Sequence, residues 1–131
     1  MSNATATPTL LAYPAGFEYS QKTETIRGTI AVSSAVYNAG GIPLSFNTLE
    51  PVKTGAVPFQ VLVWSAAPLV SNHTNYIYSY NTVTHNLQIW VVGAVSGAAL
   101  SELTPGTVPA GVVSDTIQFE AKFSKFDFFT T

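Results

Sequence analysis

The sequence predicts an all-β fold, a β-sandwich with jelly-roll-like connections. Three observations point to it. The periodic stretches alternate with period two instead of following a helical repeat; β-branched and aromatic residues dominate those stretches; and Gly, Pro and Asn punctuate them at short intervals. Roughly seven or eight short strands separated by turns fit a sandwich, a jelly roll or a small barrel, of which the sandwich is the expectation carried forward.

At 131 residues the chain has the size of one domain and can bury a core without staples. Residues 1–25 are rich in Thr, Ala, Ser and Pro and show no period, which predicts an extended N-terminal arm preceding a sandwich domain at 26–131. The arm still carries Leu10, Leu11, Tyr13 and Phe17, too many apolar groups for a purely solvated segment. Two readings stay open at this point: the arm folds back along its own domain, or it lies on a neighbouring molecule.

From Ile26 the strand signals begin. Ile26, Gly28, Ile30 and Val32 alternate with Arg27, Thr29, Ala31 and Ser33, as in a strand with one buried face. Asn38-Ala39-Gly40-Gly41 is turn chemistry because Asn and Gly tolerate positive φ, and Pro43 then marks the start or edge of a short strand over Leu44 to Leu49. Phe59 to Trp64 is apolar on nearly both faces, which predicts a central strand covered on each side. Tyr76 to Tyr80 and Leu87 to Val92 form a hairpin across Asn81–Asn86. Tyr76, Tyr78 and Tyr80 share one side of their strand, and Leu87, Ile89 and Val91 share one side of the next. After a stretch rich in Gly, Pro and Ser, Ile117, Phe119, Ala121 and Phe123 alternate with Thr116, Gln118, Glu120 and Lys122 in a half-buried last strand. The tail adds Phe126, Phe128 and Phe129.

Composition narrows the function. Apolar residues make up 47% of the chain but charged residues only 9%, against about a quarter in ordinary globular proteins. Much of the surface must then be Ser, Thr, Asn, Ala and aromatic groups, which lose water cheaply and suit lasting contact with other proteins. Low charge and ample hydrophobicity also exclude intrinsic disorder. Net charge is −2 and the five basic residues are scattered, so the footprint of a nucleic-acid binder is missing. With no cysteine there is no disulfide framework and no thiolate metal site. The N-terminal residues lack the basic start and unbroken apolar run of a signal peptide, and no segment supplies the roughly 18 apolar residues of a membrane helix.

The chemistry-bearing residues point the same way. His73 and His85 stand in polar loops, each without a second ligand at i+2 or i+4, which speaks for surface histidines and against a metal. A Ser-His-Asp set can be drawn from His85 and Asp115, but no nucleophile-elbow signature supports it. The seven acids, Glu18, Glu24, Glu50, Glu102, Asp115, Glu120 and Asp127, would serve a rival reading, a glycan hydrolase, if at least two of them converged in a cleft; against it, Asp115 is placed to close a turn and Glu120 to face outward beside Lys122. Gly40-Gly41 lacks the Lys or helix start of a phosphate loop. Asn3-Ala4-Thr5 and Asn72-His73-Thr74 match the glycosylation sequon without a secretion signal to give it meaning. The expectation is a protein without catalytic site, cofactor or metal.

The aromatics allow two uses. Tyr76, Tyr78, Tyr80, Trp64 and Trp90 suit a platform for sugar rings, or a core and protein interface, the commoner role. The candidate interface residues are Leu10, Leu11, Tyr13, Phe17, Tyr76, Tyr78, Tyr80, Phe126, Phe128 and Phe129.

The order of landmarks over about residues 25 to 125 carries a resemblance. It runs from Gly40-Gly41-Ile42-Pro43-Leu44, through Tyr76-Ile77-Tyr78-Ser79-Tyr80 and Leu87-Gln88-Ile89-Trp90, to Glu102-Leu103, Val108-Pro109-Ala110 and the closing Ser114 to Phe123. This pattern resembles the small decoration, or cement, proteins of tailed-bacteriophage capsids. The resemblance implies a sandwich made in the host cytoplasm and bound outside the virion shell, as a homotrimer at junctions of the major capsid protein, with no nucleic acid or membrane partner. A protein that binds only the assembled lattice stabilises it by its binding free energy, and the arm becomes a strap that orders on binding. The alternative reading is a carbohydrate- or receptor-binding module of a phage tail, with the tyrosine face and the Asn81–Asn86 loop on the glycan.

Overall fold

The structure, a computed structural model, describes residues 2–12, 16–19, 23–49, 52, 56–65, 76–91 and 99–124. Its strands are β1 (Ala6–Leu10), β2 (Phe17–Tyr19), β3 (Thr23–Val32), β4 (Val36–Tyr37), β5 (Ile42–Pro43), β6 (Gln60–Ser65), β7 (Tyr76–Asn81), β8 (Asn86–Val91), β9 (Ser101–Glu102), β10 (Gly106–Thr107) and β11 (Ile117–Ser124). A short helical turn, α1 (Ala110–Val113), precedes β11. The fold is an all-β sandwich of antiparallel sheets. The larger sheet has the order β1-β3-β11-β6 with β2 also on β3; the second has the order β5-β8-β7 with β9 on β8; β10 and β4 form a small ribbon.

The two strands with the cleanest alternation form the centre of the larger sheet. Ile117, Phe119, Ala121 and Phe123 of β11 are buried, as are Ile26, Gly28, Ile30 and Val32 of β3, and the pairing Ile117↔Ile30, Phe119↔Gly28 and Ala121↔Ile26 puts both sets on one face. In the second sheet Tyr80↔Leu87, Tyr78↔Ile89 and Tyr76↔Val91 stand directly across from each other, the ladder the alternation predicts. The turn between them is tight: Asn81 accepts at its side-chain oxygen from the N–H of Val83 and of Thr84, and His85 adopts φ 61°.

Phe46 joins the layers. Its ring lies 5.1 Å from that of Phe119 and 6.1 Å from Phe123 in one sheet, and 6.2 Å from Tyr80 in the other. One carboxylate adds to this joint and another ties the ribbon to the second sheet. Asp115 accepts from the Ser65 hydroxyl at the end of β6 and from the Tyr78 hydroxyl of β7, each at 2.7 Å. Glu102 accepts from the Tyr37 hydroxyl at 2.8 Å and from the Gly40 N–H at 2.9 Å, while Tyr37 in turn accepts from the Ile89 N–H at 3.1 Å. A fully buried tyrosine is tolerable because its hydroxyl is satisfied on both sides.

Several expectations change. Residues 44–49 are not a strand. Pairing stops at Pro43, and the chain continues as turns (Leu49 N–H to Phe46 C=O, Val52 N–H to Leu49 C=O) that still bury Leu44, Phe46 and Leu49. Nor is Phe59–Trp64 a central strand: among the described residues β6 pairs only with β11, at the sheet's edge, and Leu62 and Trp64 face outward while Val61 and Val63 pack on the core. The boundary expected at residue 26 falls inside β3. Within 1–25, β1 and β2 form one interrupted edge strand along β3: the Leu11 N–H donates to the Arg27 C=O, and the Arg27 N–H donates to the Gly16 C=O. Where β1 crosses Gly28 the approach is so close that a Cβ there would stand 1.9 Å from the Thr9 carbonyl oxygen, so only glycine fits.

Candidate protein-binding surface

The outward face of the larger sheet is built by the residues that alternate with the core. On β6 these are Gln60, Leu62 and Trp64, standing across from Lys122, Glu120 and Gln118 of β11, which in turn face Thr25, Arg27 and Thr29 of β3. Leu62 is 51% exposed and Trp64 41%, and Phe59, just before β6, is 53% exposed. Trp64 is tied to its neighbouring strand, its indole N–H donating to the Gln118 side-chain oxygen at 2.8 Å. Beside this apolar margin lies a chain of charges. Arg27 donates from Nε to Glu120 at 3.0 Å and from a terminal nitrogen to Glu18, while the Lys122 ammonium stands 4.0 Å from Glu120. The hydrogen bond and then the Coulomb attraction of Arg27 hold the exposed Glu18 carboxyl below its ordinary range, and the same two acids push the Arg27 guanidinium up. The charges neutralise one another in place and leave the apolar margin as the part of this face that gains most from being covered.

Across the sandwich, Ile77 faces outward opposite Trp90, whose indole N–H donates to Ser79 Oγ at 2.8 Å. A neutral depression of about 180 Å³ opens where Phe46, Tyr80 and His85 meet Ser45, Asn47 and Pro58. There the Tyr80 hydroxyl lies 3.2 Å from His85 Nδ1, and burial pushes the Tyr80 phenol up.

The sequence-derived interface residues are dispersed. Tyr78 is only 4% exposed and belongs to the protein's own core; Tyr76, Tyr80 and Leu10 are half-buried against that core. The tyrosine row is therefore an inward face and offers no binding ladder, because its strand's other side, with Ile77, is the one left outside. Leu11 is exposed. Phe17 contributes its backbone to β2, and Tyr13, Phe126, Phe128 and Phe129 fall outside the described residues. Phe59, Leu62 and Trp64, which do form an exposed apolar margin, were missed because the run from Phe59 to Trp64 is apolar on nearly both faces.

Among the described residues no hydrogen bond joins His85 to Asp115. His85 bonds Tyr80, whereas Asp115 bonds Ser65 and Tyr78, and Glu102 serves Tyr37 and Gly40. Glu24 is buried at the start of β3. His73 lies outside the described residues. Among the described residues no three His, Asp or Glu side chains cluster as metal ligands, and no helix is long and apolar enough to cross a membrane. No family model, curated protein or solved structure matches this chain.

Proposed function

We propose that the protein is a structural virion component of a tailed bacteriophage, a decoration protein that binds the outer surface of the head and stabilises the lattice of the major capsid protein. The observation that carries the reading is the apolar margin of Phe59, Leu62 and Trp64, exposed on a chain whose charged fraction is only 9%. Exposed Trp is typical of the centre of a protein interface, where covering a few such side chains supplies most of the binding free energy. The sequence landmarks of decoration proteins support the same reading. Attachment then strengthens the shell because the lattice cannot separate without first losing its bound copies.

Co-sedimentation with assembled phage heads tests it. The wild-type chain is expected to pellet with heads and raise the temperature at which they release DNA. Leu62→Ser/Trp64→Ser is expected to weaken binding at least tenfold, the scale of about 1.4 kcal/mol. A wild-type chain that stays in the supernatant, or a double variant that binds as tightly, refutes the reading.

A second reading, a glycan-binding module, is favoured by the depression between Phe46, Tyr80 and His85, whose aromatic walls and neutral polar rim suit a sugar ring. Binding to a glycan array that Tyr80→Ala abolishes, without binding to heads, selects it.

A further inference from the structure

Three asparagines from distant parts of the chain meet at one pocket. Asn3 precedes β1, Asn38 follows β4 and Asn86 begins β8, and together they line a pocket of about 280 Å³ with Thr5, Val36 and Pro43. The turn after Asn38 packs directly on β8. Gly41 there has φ 108°, and a Cβ at this residue would stand 2.5 Å from the Leu87 carbonyl oxygen, so the close approach that sets Asn86 beside the turn depends on glycine. Two hydrogen bonds orient the amides: Asn38 Nδ2 donates to Asn3 Oδ1 at 3.0 Å, and Asn86 Nδ2 donates to the Gly40 C=O at 3.1 Å. A side-chain amide carries two donor hydrogens and an oxygen with two lone pairs. Among the described residues no hydrogen bond uses Asn3 Nδ2, Asn38 Oδ1 or Asn86 Oδ1, so the wall of the pocket offers one oriented donor group and two oriented acceptors.

These features select a ligand. No charged side chain lines the pocket, so an ionised group entering it would lose water without gaining a counter-charge. The N–H groups of Ala4, Thr5, Val36 and Gly41 are all donated within the protein and Pro43 has none, which leaves no run of main-chain donors for an added peptide strand. What remains is a mixed set of side-chain donors and acceptors beside the apolar surface of Val36 and Pro43. A sugar ring is the matching partner, since its adjacent hydroxyls each donate and accept while its C–H face is apolar. The volume lies just below the range of about 300–1,000 Å³ that holds drug-sized ligands, which suits one ring and not a chain.

We infer that Asn3, Asn38 and Asn86 bind one uncharged sugar ring, whose hydroxyls accept from Asn3 Nδ2 and donate to Asn38 Oδ1 and Asn86 Oδ1. Because two of the three amides are pinned by protein partners before the ligand arrives, little ordering cost falls on binding. The site is distinct from the depression at Tyr80 and His85, and it is measured without heads, so it stands or falls separately from the capsid reading.

An amide NMR titration of the isotope-labelled full chain tests it. The probes are glucose, galactose, mannose and N-acetylglucosamine, with glucuronic acid and N-acetylneuraminic acid as charged counterparts. At least one neutral sugar is expected to saturate with a Kd on the order of 1 mM, the scale for a single uncharged ring. It should shift the side-chain NH2 resonances of Asn3 and Asn86, whereas the two acids leave them unmoved. Asn3→Ala/Asn38→Ala, at two exposed positions, is expected to melt as the wild type does and to bind that sugar at least tenfold more weakly, while Tyr80→Ala binds it unchanged. Neutral sugars that leave these resonances in place, acids that bind there equally well, or a double variant that binds as tightly as wild type overturns the inference. Shifts centred on Tyr80 and His85 overturn it too and select the other depression. Should the double variant fail to fold, the amide shifts of the wild type decide alone.

Discussion

Phe46 lies in a segment without regular structure, yet it is only 2% exposed and its ring touches aromatic rings from both sheets, so its truncation reports on whether the two layers are joined as described. A phenyl side chain buries about 150–250 Å². At about 25 cal/mol per Å², reduced by the compactness of the unfolded chain, that amounts to about 3–5 kcal/mol, the range found when core aromatics are cut to alanine. Phe46→Ala is expected to lose this much in a urea melt with an unchanged m-value. Phe119→Ala, at the facing ring, is expected to cost the same amount. Because the two rings stand 5.1 Å apart, the double variant should fall short of the sum by about 1 kcal/mol. Phe59→Ala, at the exposed margin, serves as the contrast and should change stability by less than about 0.5 kcal/mol. A loss below about 1 kcal/mol for Phe46→Ala, or full additivity with Phe119→Ala, refutes the joint.

Other perturbations probe separate features. Gly28→Ala places a methyl group against the Thr9 carbonyl and is expected to cost about 1–3 kcal/mol; amide exchange should accelerate at Thr29 and Ala31, which face β1, before it does on the β11 side, and uniform acceleration would contradict this. Tyr37→Phe leaves the Ile89 N–H without its acceptor and should cost about 1–3 kcal/mol by denaturant melt, against no change if the hydroxyl is idle. Burial, more than the neighbouring Glu102, pushes the Tyr37 phenol up, so its neutral form stabilises the fold below the ordinary phenol range and that contribution disappears as pH rises; in an absorbance titration Tyr37 should ionise only with unfolding. Glu18 is shifted the other way: its contribution is present above the ordinary carboxylate range and is lost as pH falls through the lowered folded value, so Glu18→Gln should flatten a shallow acid-side slope in thermal melts that the wild type retains.

Much of the fold was legible where alternation is strict. In β11, and in β3 from Ile26 to Ile30, polar and apolar residues change places at every step, so only one face can be buried and the strand and its core residues follow. The hairpin was legible down to its cross-strand ladder for the same reason. The candidate surface was not. Phe59 to Trp64 is apolar on both sides, and a pattern without contrast does not reveal whether a strand lies in the middle or at the edge. Phe46 was equally hidden, because a turn that buries every second or third residue imitates a strand.

By itself the amino-acid order determined that this chain forms β-structure, which faces of β3 and β11 are buried, and that its surface is poor in charge, since these depend on residue types and on a backbone period of two. Only the tertiary structure decided that β6 is an edge among the described strands, that the tyrosine row looks inward, and that Asp115 and Glu102 accept hydrogen bonds from neighbouring strands. Those outcomes depend on which strand pairs beside which, and pairing between residues as distant as Glu24 and Phe123 is set by the packing of the whole core, not by any local pattern.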